Sequence, residues 1–219
     1  MGEDQDFYLK YPHMTKTVSL TFDDGLIKTA EKVLGLEIPA TFYIVSGWVT
    51  GEIKIKDPFN VNIEHGKLDD WIGFHKAGLD IGSHSHTHIK NDYRLDLSLQ
   101  FMKAHFSSPY SLSWPYGEAI DSNLFDSYKS GFIRPYNKIN EINLASYNPK
   151  WDEISFQEII DSLPDNYWLI FTFHGINEGW RPITEYFLKE IYNYCIESEI
   201  EVKTISKVVN EIHISNHNI

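Results

Sequence analysis

The 219-residue chain has a single cysteine, Cys195, which excludes an internal disulfide framework and a multi-cysteine metal site. Cys195 lies in an apolar-periodic stretch near Tyr192 and Ile196. A buried, inert thiol is expected there, since a nucleophilic role would need a neighbouring base that the sequence does not offer. Basic runs are also missing. Asp and Glu number 31 against 19 Lys and Arg, and the net charge of -12 is spread along the chain, which argues against nucleic acid and anionic membrane surfaces as partners. No apolar run approaches the roughly 18 residues that would cross a bilayer. The first residues, MGEDQDFYLKYPHM, lack the basic-then-apolar layout of a signal peptide, so the sequence as it stands reads as cytoplasmic. A secreted chain trimmed of its leader would read the same way. Repeats, low-complexity tracts and Pro/Gly/Ser-rich linkers are absent too, and one domain over residues 1–219 is expected.

Aromatic residues, by contrast, are plentiful at 15%, with 6 Trp and 13 Tyr, enough to fill one sizeable core and line a groove. Strand-like and helix-like segments alternate along the chain. Strands are expected at Thr17–Phe22, Ala40–Val45, Leu79–Gly82, Tyr110–Trp114, Phe132–Pro135, Ile142–Ser146, Trp168–Phe173 and Glu201–Thr204. Helices are expected at about Leu26–Leu36, Leu68–Ala77, Leu95–Ala104, Asp121–Lys129, Phe156–Leu163 and Thr184–Glu197, with a last helix after Thr204. Gly47 to Gly66 reads as a long loop. Repeated βα units imply an α/β fold with a mostly parallel sheet, and about seven strands in this length favour a small, distorted (β/α) barrel over an open doubly wound sheet.

Three clusters fall at the ends of expected strands, where such folds place their chemistry. The first strand ends in Thr21-Phe22-Asp23-Asp24-Gly25. Adjacent carboxylates there project in different directions, one toward a metal and one toward substrate; capping of the next helix by either Asp is the competing explanation. Leu79–Gly82 runs into Ser83-His84-Ser85-His86-Thr87-His88. If this segment is one helical turn, His84 and His88 share a face and can bind one metal, with His86 pointing elsewhere; a solvated polar turn is the alternative. Trp168–Phe173 is followed by His174-Gly175, a position suited to a general acid or to a satisfied core histidine.

TFDDG, HSHTH some 60 residues later and a late strand ending in His resemble the polysaccharide deacetylases of carbohydrate esterase family 4, the NodB-homology domain, over residues 17–205. The resemblance implies a distorted (β/α) barrel and a metal-dependent hydrolase that removes N-acetyl or O-acetyl groups from a carbohydrate such as an acetylated amino sugar, glycan or glycan precursor. It implies Asp23 as catalytic base, His174 as general acid, and Asp24, His84 and His88 as ligands of one divalent metal ion. Zinc is expected, with cobalt, nickel or manganese as alternatives; the cation would polarise the acetyl carbonyl and acidify a bound water.

Three motifs depart from the family pattern. Its third motif, Arg-x-Pro-Tyr-Gly, appears as Ser113-Trp114-Pro115-Tyr116-Gly117, and serine cannot replace the charge or donor fork of the Arg that usually orients the base. The fourth, ending in Asp-Trp, is echoed only by Asn148-Pro149-Lys150-Trp151. The fifth carries Thr172 where Leu is common. Arg134 is a candidate replacement for the family Arg, its ordinary alternative being a surface side chain. Trp114, Tyr116 and Trp151 are candidate substrate-binding residues, Trp48 and Trp180 are loop candidates, and Trp71 and Trp168 are expected in the core. The missing Arg and Asp keep two other readings open: a carbohydrate-binding member with weak or no turnover, and a hydrolase of a non-sugar amide.

Overall fold

The computed structural model describes residues 16–118, 122–131, 136–138, 141, 143–147 and 155–217. Its strands are β1 (Thr17–Phe22), β2 (Thr41–Ile44), β3 (Asp80–Ser83), β4 (Ser111–Ser113), β5 (Ser127–Gly131), β6 (Asn137–Lys138), β7 (Asn143–Ser146), β8 (Tyr167–Phe173) and β9 (Glu201–Val202). Its helices are α1 (Ile27–Gly35), α2 (Ser46–Val49), α3 (Leu68–Lys76), α4 (Leu95–His105), α5 (Phe156–Asp161), α6 (Glu185–Glu197) and α7 (Ile205–His217).

Seven strands run parallel in the order β8-β1-β2-β3-β4-β5-β7. Just past β7, Tyr147 bridges in parallel to Phe171 of β8: Tyr147 N donates to Ile170 O at 2.8 Å and Thr172 N donates to Tyr147 O at 2.8 Å. The sheet thus returns on itself as a nearly closed, distorted (β/α) barrel, in line with the expectation of seven parallel strands. β6 lies antiparallel on the start of β8, and β9 lies beside the start of β1.

Successive side chains of a strand point to opposite faces, so each strand feeds two cores. Val18, Leu20 and Phe22 of β1 pack with Ala30 and Val33 of α1 and Leu188 and Ile191 of α6, all buried. Trp168 and Ile170 of β8 join Tyr43, Leu144 and the apolar stripe Ile205, Val208, Val209 and Ile212 of α7 in a second cluster. Thr172, next along the same face as Trp168 and Ile170, lines a cavity instead. The end of the barrel holding that cavity is therefore left for polar groups, while α7 packs against the apolar residues before it. Trp71 and Trp168 are fully buried, as expected.

Two expectations need correction. The helix expected at Asp121–Lys129 is not formed: residues 122–126 bend and β5 begins at Ser127. Tyr128 packs outward against Trp114 and Phe125, so its neighbour Lys129 faces the other way, an alternation of period 2 rather than 3.6. The Gly47–Gly66 stretch is not wholly loop, since α2 reaches Val49 and holds Trp48 buried. The expected strand Phe132–Pro135 lies outside the described residues.

Cys195 is fully buried in α6, and burial alone pushes its thiol pKa up to about 12. The folded protein is expected to leave a chromogenic disulfide reagent unreacted at neutral pH, and to titrate as one thiol per chain only after denaturation. A rapid native reaction would contradict this packing.

Candidate active site

The C-terminal ends of β1, β3, β4 and β8, with the interior of β5, surround a cavity of about 580 Å³ whose walls include Asp23, Asp24, His84, His88, Lys129 and His174. Neither aspartate caps α1: the residue before that helix is Leu26, and no side-chain cap bond is made. Instead Asp24 sits at φ 69°, followed by Gly25 at φ 63°, a left-handed reversal that turns the two carboxylates apart. His84 and His88 are likewise not joined by a helical turn. Left-handed Ser85 (φ 70°) and His88 (φ 53°) fold the segment back until the two imidazole centroids are 5.0 Å apart.

Asp24 Oδ1 lies 3.4 Å from His84 Nε2 and 3.3 Å from His88 Nε2, and one potential ligand atom from each of the three residues lies within 4.8 Å of the others. All three side chains are buried. His84 Nδ1 is 2.8 Å from Ser113 O; donating to that carbonyl leaves Nε2 as a lone-pair donor facing Asp24. Asn60 Nδ2 donates to Asp24 Oδ2 at 3.0 Å, while Oδ1 is buried and makes no hydrogen bond among the described residues. Trp48 packs its ring 5.1 Å from that of His88, and Tyr116 donates its hydroxyl to His88 O at 3.0 Å. Burial, and then the neighbouring His84, lower the His88 pKa to about 4. For His84, burial works downward too, but Asp23 and Asp24 outweigh it and raise the pKa. Three potential ligand atoms are thus turned inward on one another. An orphaned carboxylate oxygen facing two imidazoles is a donor set that fits a divalent cation. His86 points away, with Nδ1 3.0 Å from Ser46 Oγ and Nε2 3.4 Å from Glu52.

Asp23 faces the other side of the cavity. Lys129 Nζ donates to both of its oxygens at 3.1 Å and to Thr172 Oγ1 at 2.9 Å, and Ser113 Oγ donates to Oδ2 at 3.0 Å. Burial pushes the Asp23 pKa up, but the Lys129 ammonium, with His84 and His174, outweighs it and holds the carboxyl below its ordinary value. His174, directly after β8, is half-capped by the Trp180 ring at 4.7 Å. Its Nδ1 is buried without a hydrogen-bond partner among the described residues, and burial lowers its pKa against the pull of Asp24 and Asp23.

Trp114 and Tyr116 both line the cavity, though unequally. Trp114 is buried against Tyr93 and Tyr128, whereas Tyr116 is 56% exposed and left-handed (φ 61°), its ring packed against His88 at 4.8 Å and otherwise open at the cavity wall. Trp48 supports His88 from within, and Trp180 joins the cavity wall beside Arg181. Trp151 and Arg134 lie outside the described residues, as does the Asn148–Trp151 echo of the fourth motif. Sequence reasoning missed Lys129, Asn60 and Asp57. Lys129 was hidden by the helix expected over it, and Asp57 and Asn60 by a long stretch without periodicity. The one available signal for Lys129 was the uncompensated charge left by Ser113.

The family model for polysaccharide deacetylases matches residues 10–130. Several solved structures are similar across nearly the whole chain. The Xyl-CE4 domain of a multidomain xylanase from the hindgut metagenome of Trinervitermes trinervoides is 17% identical over 90% of each chain, with a TM-score of 0.57. A family 4 acetyl xylan esterase from Clostridium thermocellum, in complex with a cobalt ion, is 16% identical over 89% of this chain and 90% of that one, with a TM-score of 0.53. The chitin deacetylase of the fungal pathogen Colletotrichum lindemuthianum is 13% identical over 90% and 88%, also at 0.53. At these identities the likeness is one of fold. No curated protein gives a significant match.

Proposed function

Because the chain belongs to the polysaccharide deacetylase family, we propose that it hydrolyses the acetyl group of an N-acetylated sugar, using Asp23 as base and His174 as acid. The observation that carries this reading is the arrangement in one cavity of an inward-facing Asp24–His84–His88 set beside a separately held carboxylate and a strand-end histidine. A divalent cation held by those three residues, zinc by preference, supplies Lewis acidity to the acetyl carbonyl and lowers the pKa of water.

The chain's own groups then divide the proton work. Asp23, ionised and held in place, accepts the proton of the attacking water. The water oxygen bonds to the acetyl carbon, the C–N bond breaks, and His174, which takes up a proton before this step, delivers it to the leaving nitrogen; Asp23 then returns its proton to solvent, and the products are acetate and the amine. The exposed ring of Tyr116 and the indole of Trp180 offer apolar faces for a sugar at the cavity mouth.

The test is metal content by elemental analysis with acetate release from N-acetylglucosamine oligomers. About one metal per chain and chelator-sensitive release are expected. Bound metal without release from any acetylated sugar would replace the hydrolase reading with a binding role or a different amide. Absence of metal after zinc loading would remove the Asp24–His84–His88 assignment.

A further inference from the structure

We propose that Lys129 is the positioning residue for Asp23, a buried ammonium delivered from β5 that fixes the orientation of the base. The inference rests on the reading of Asp23 as base and deepens it. Its ground is register and contact. β4 and β5 pair in parallel with Ser113 opposite Lys129, so the two side chains leave neighbouring strands on the same face, and both reach Asp23. The small Ser113 leaves the space that the long lysine crosses.

The geometry is more demanding than a surface ion pair. Lys129 is 2% exposed, and its three donors are spent on Asp23 Oδ1, Asp23 Oδ2 and Thr172 Oγ1. Its ammonium also lies 5.1 Å from the centroid of the buried Tyr43 ring, a favourable electrostatic surrounding for a cation. Asp23 Oδ2 takes a further bond from Ser113, so Oδ1 is the oxygen with a lone pair left for a water proton. A carboxylate gripped on both oxygens cannot rotate away from the position at which Oδ1 meets a water. Thr172 steadies the ammonium from β8, using the residue that departs from the family's usual Leu.

Zinc-loaded full-length protein is compared with Lys129→Met, Lys129→Arg, Asp23→Asn and the Asp23→Asn/Lys129→Met double variant, assayed by acetate release from N-acetylglucosamine oligomers. Lys129→Met is expected to lower kcat about 100-fold with KM and the zinc-induced rise in melting temperature unchanged, and Lys129→Arg to recover about tenfold of that loss. In the Asp23→Asn background the second substitution is expected to cost less than about 3-fold, because the residue acts through Asp23. Independently of turnover, the metal-free, 15N-lysine-labelled protein is expected to show an exchange-protected ammonium resonance, besides that of the buried Lys203, that is absent in Lys129→Met and displaced in Asp23→Asn. The proposal is overturned if Lys129→Met keeps kcat within about 3-fold, if the two losses multiply, or if the ammonium resonance ignores Asp23→Asn. A wild type that releases no acetate would sink the deacetylase reading alone; the ammonium resonance would still decide the pairing.

Discussion

Asp24→Ala is expected to abolish the rise in melting temperature that zinc gives the wild type and to lower acetate release at least about 1000-fold. The residue supplies the carboxylate of the three-atom set; without it only two imidazoles remain. A cation that binds only the folded protein stabilises it by mass action, by about 2.7 kcal/mol at a hundred times its Kd. For a chain of this size that corresponds to roughly 5–11 °C in melting temperature. The variant should show none of this gain. In the metal-free protein, however, it should lose only about 1–2 kcal/mol, from the Asn60 donor left without its carboxylate. Asp24 Oδ1 makes no hydrogen bond among the described residues, and its carboxylate stabilises the fold chiefly through the bond from Asn60 and proximity to His84. A variant that still gains stability from zinc would place the cation elsewhere.

The ligand set was legible because it is nearly local. TFDDG and HSHTH each occupy a few residues at a strand end, and only their closing across β2 depends on the fold. Even so, the conformation is not in the pattern: the spacing would bring the histidines together on a helical turn, whereas left-handed Ser85 and His88 do the folding. A positive φ at a non-glycine residue leaves no mark in a sequence pattern, since tertiary contacts hold it. His174 was legible for a different reason. The run Trp168–Phe173 is apolar enough to be a buried strand, and the first polar residue after such a strand in a barrel must emerge at the catalytic rim.

Lys129 was not legible, and the reason is physical. The segment Ser127-Tyr128-Lys129-Ser130-Gly131 carries one large apolar residue, too few to declare a period, and a lysine there reads as solvent-facing. Its burial depends on the β4–β5 register and on an anion supplied by a residue 106 positions away. On sequence alone Arg134 is therefore the more conspicuous replacement cation. Asn60 and Asp57 were missed on similar grounds: each reaches the site only because the excursion between β2 and α3 is folded over the barrel mouth, and nothing in its composition fixes that course.

Asp23→Asn should stop turnover by a different route, and the contrast with Asp24→Ala separates the two carboxylates. Loss of a positioned base is expected to lower kcat about 1000-fold. The zinc-induced rise in melting temperature should survive, since no atom of Asp23 belongs to the inward-facing set. Stability of the metal-free protein should fall instead. The amide keeps one oxygen for Lys129 Nζ but removes the anion, leaving an ammonium buried in the barrel with Thr172 and one neutral acceptor. Breaking a buried pair from one side costs roughly 3–5 kcal/mol; with one acceptor retained, the lower end applies, or about 6–12 °C. Differential scanning of both variants with and without zinc reads all of these at once. Without metal, the metal-blind variant should lose the smaller part of its stability and the metal-competent one the larger. If Asp23→Asn instead melted with the wild type, the Lys129 ammonium would have no energetic stake in the carboxylate it touches.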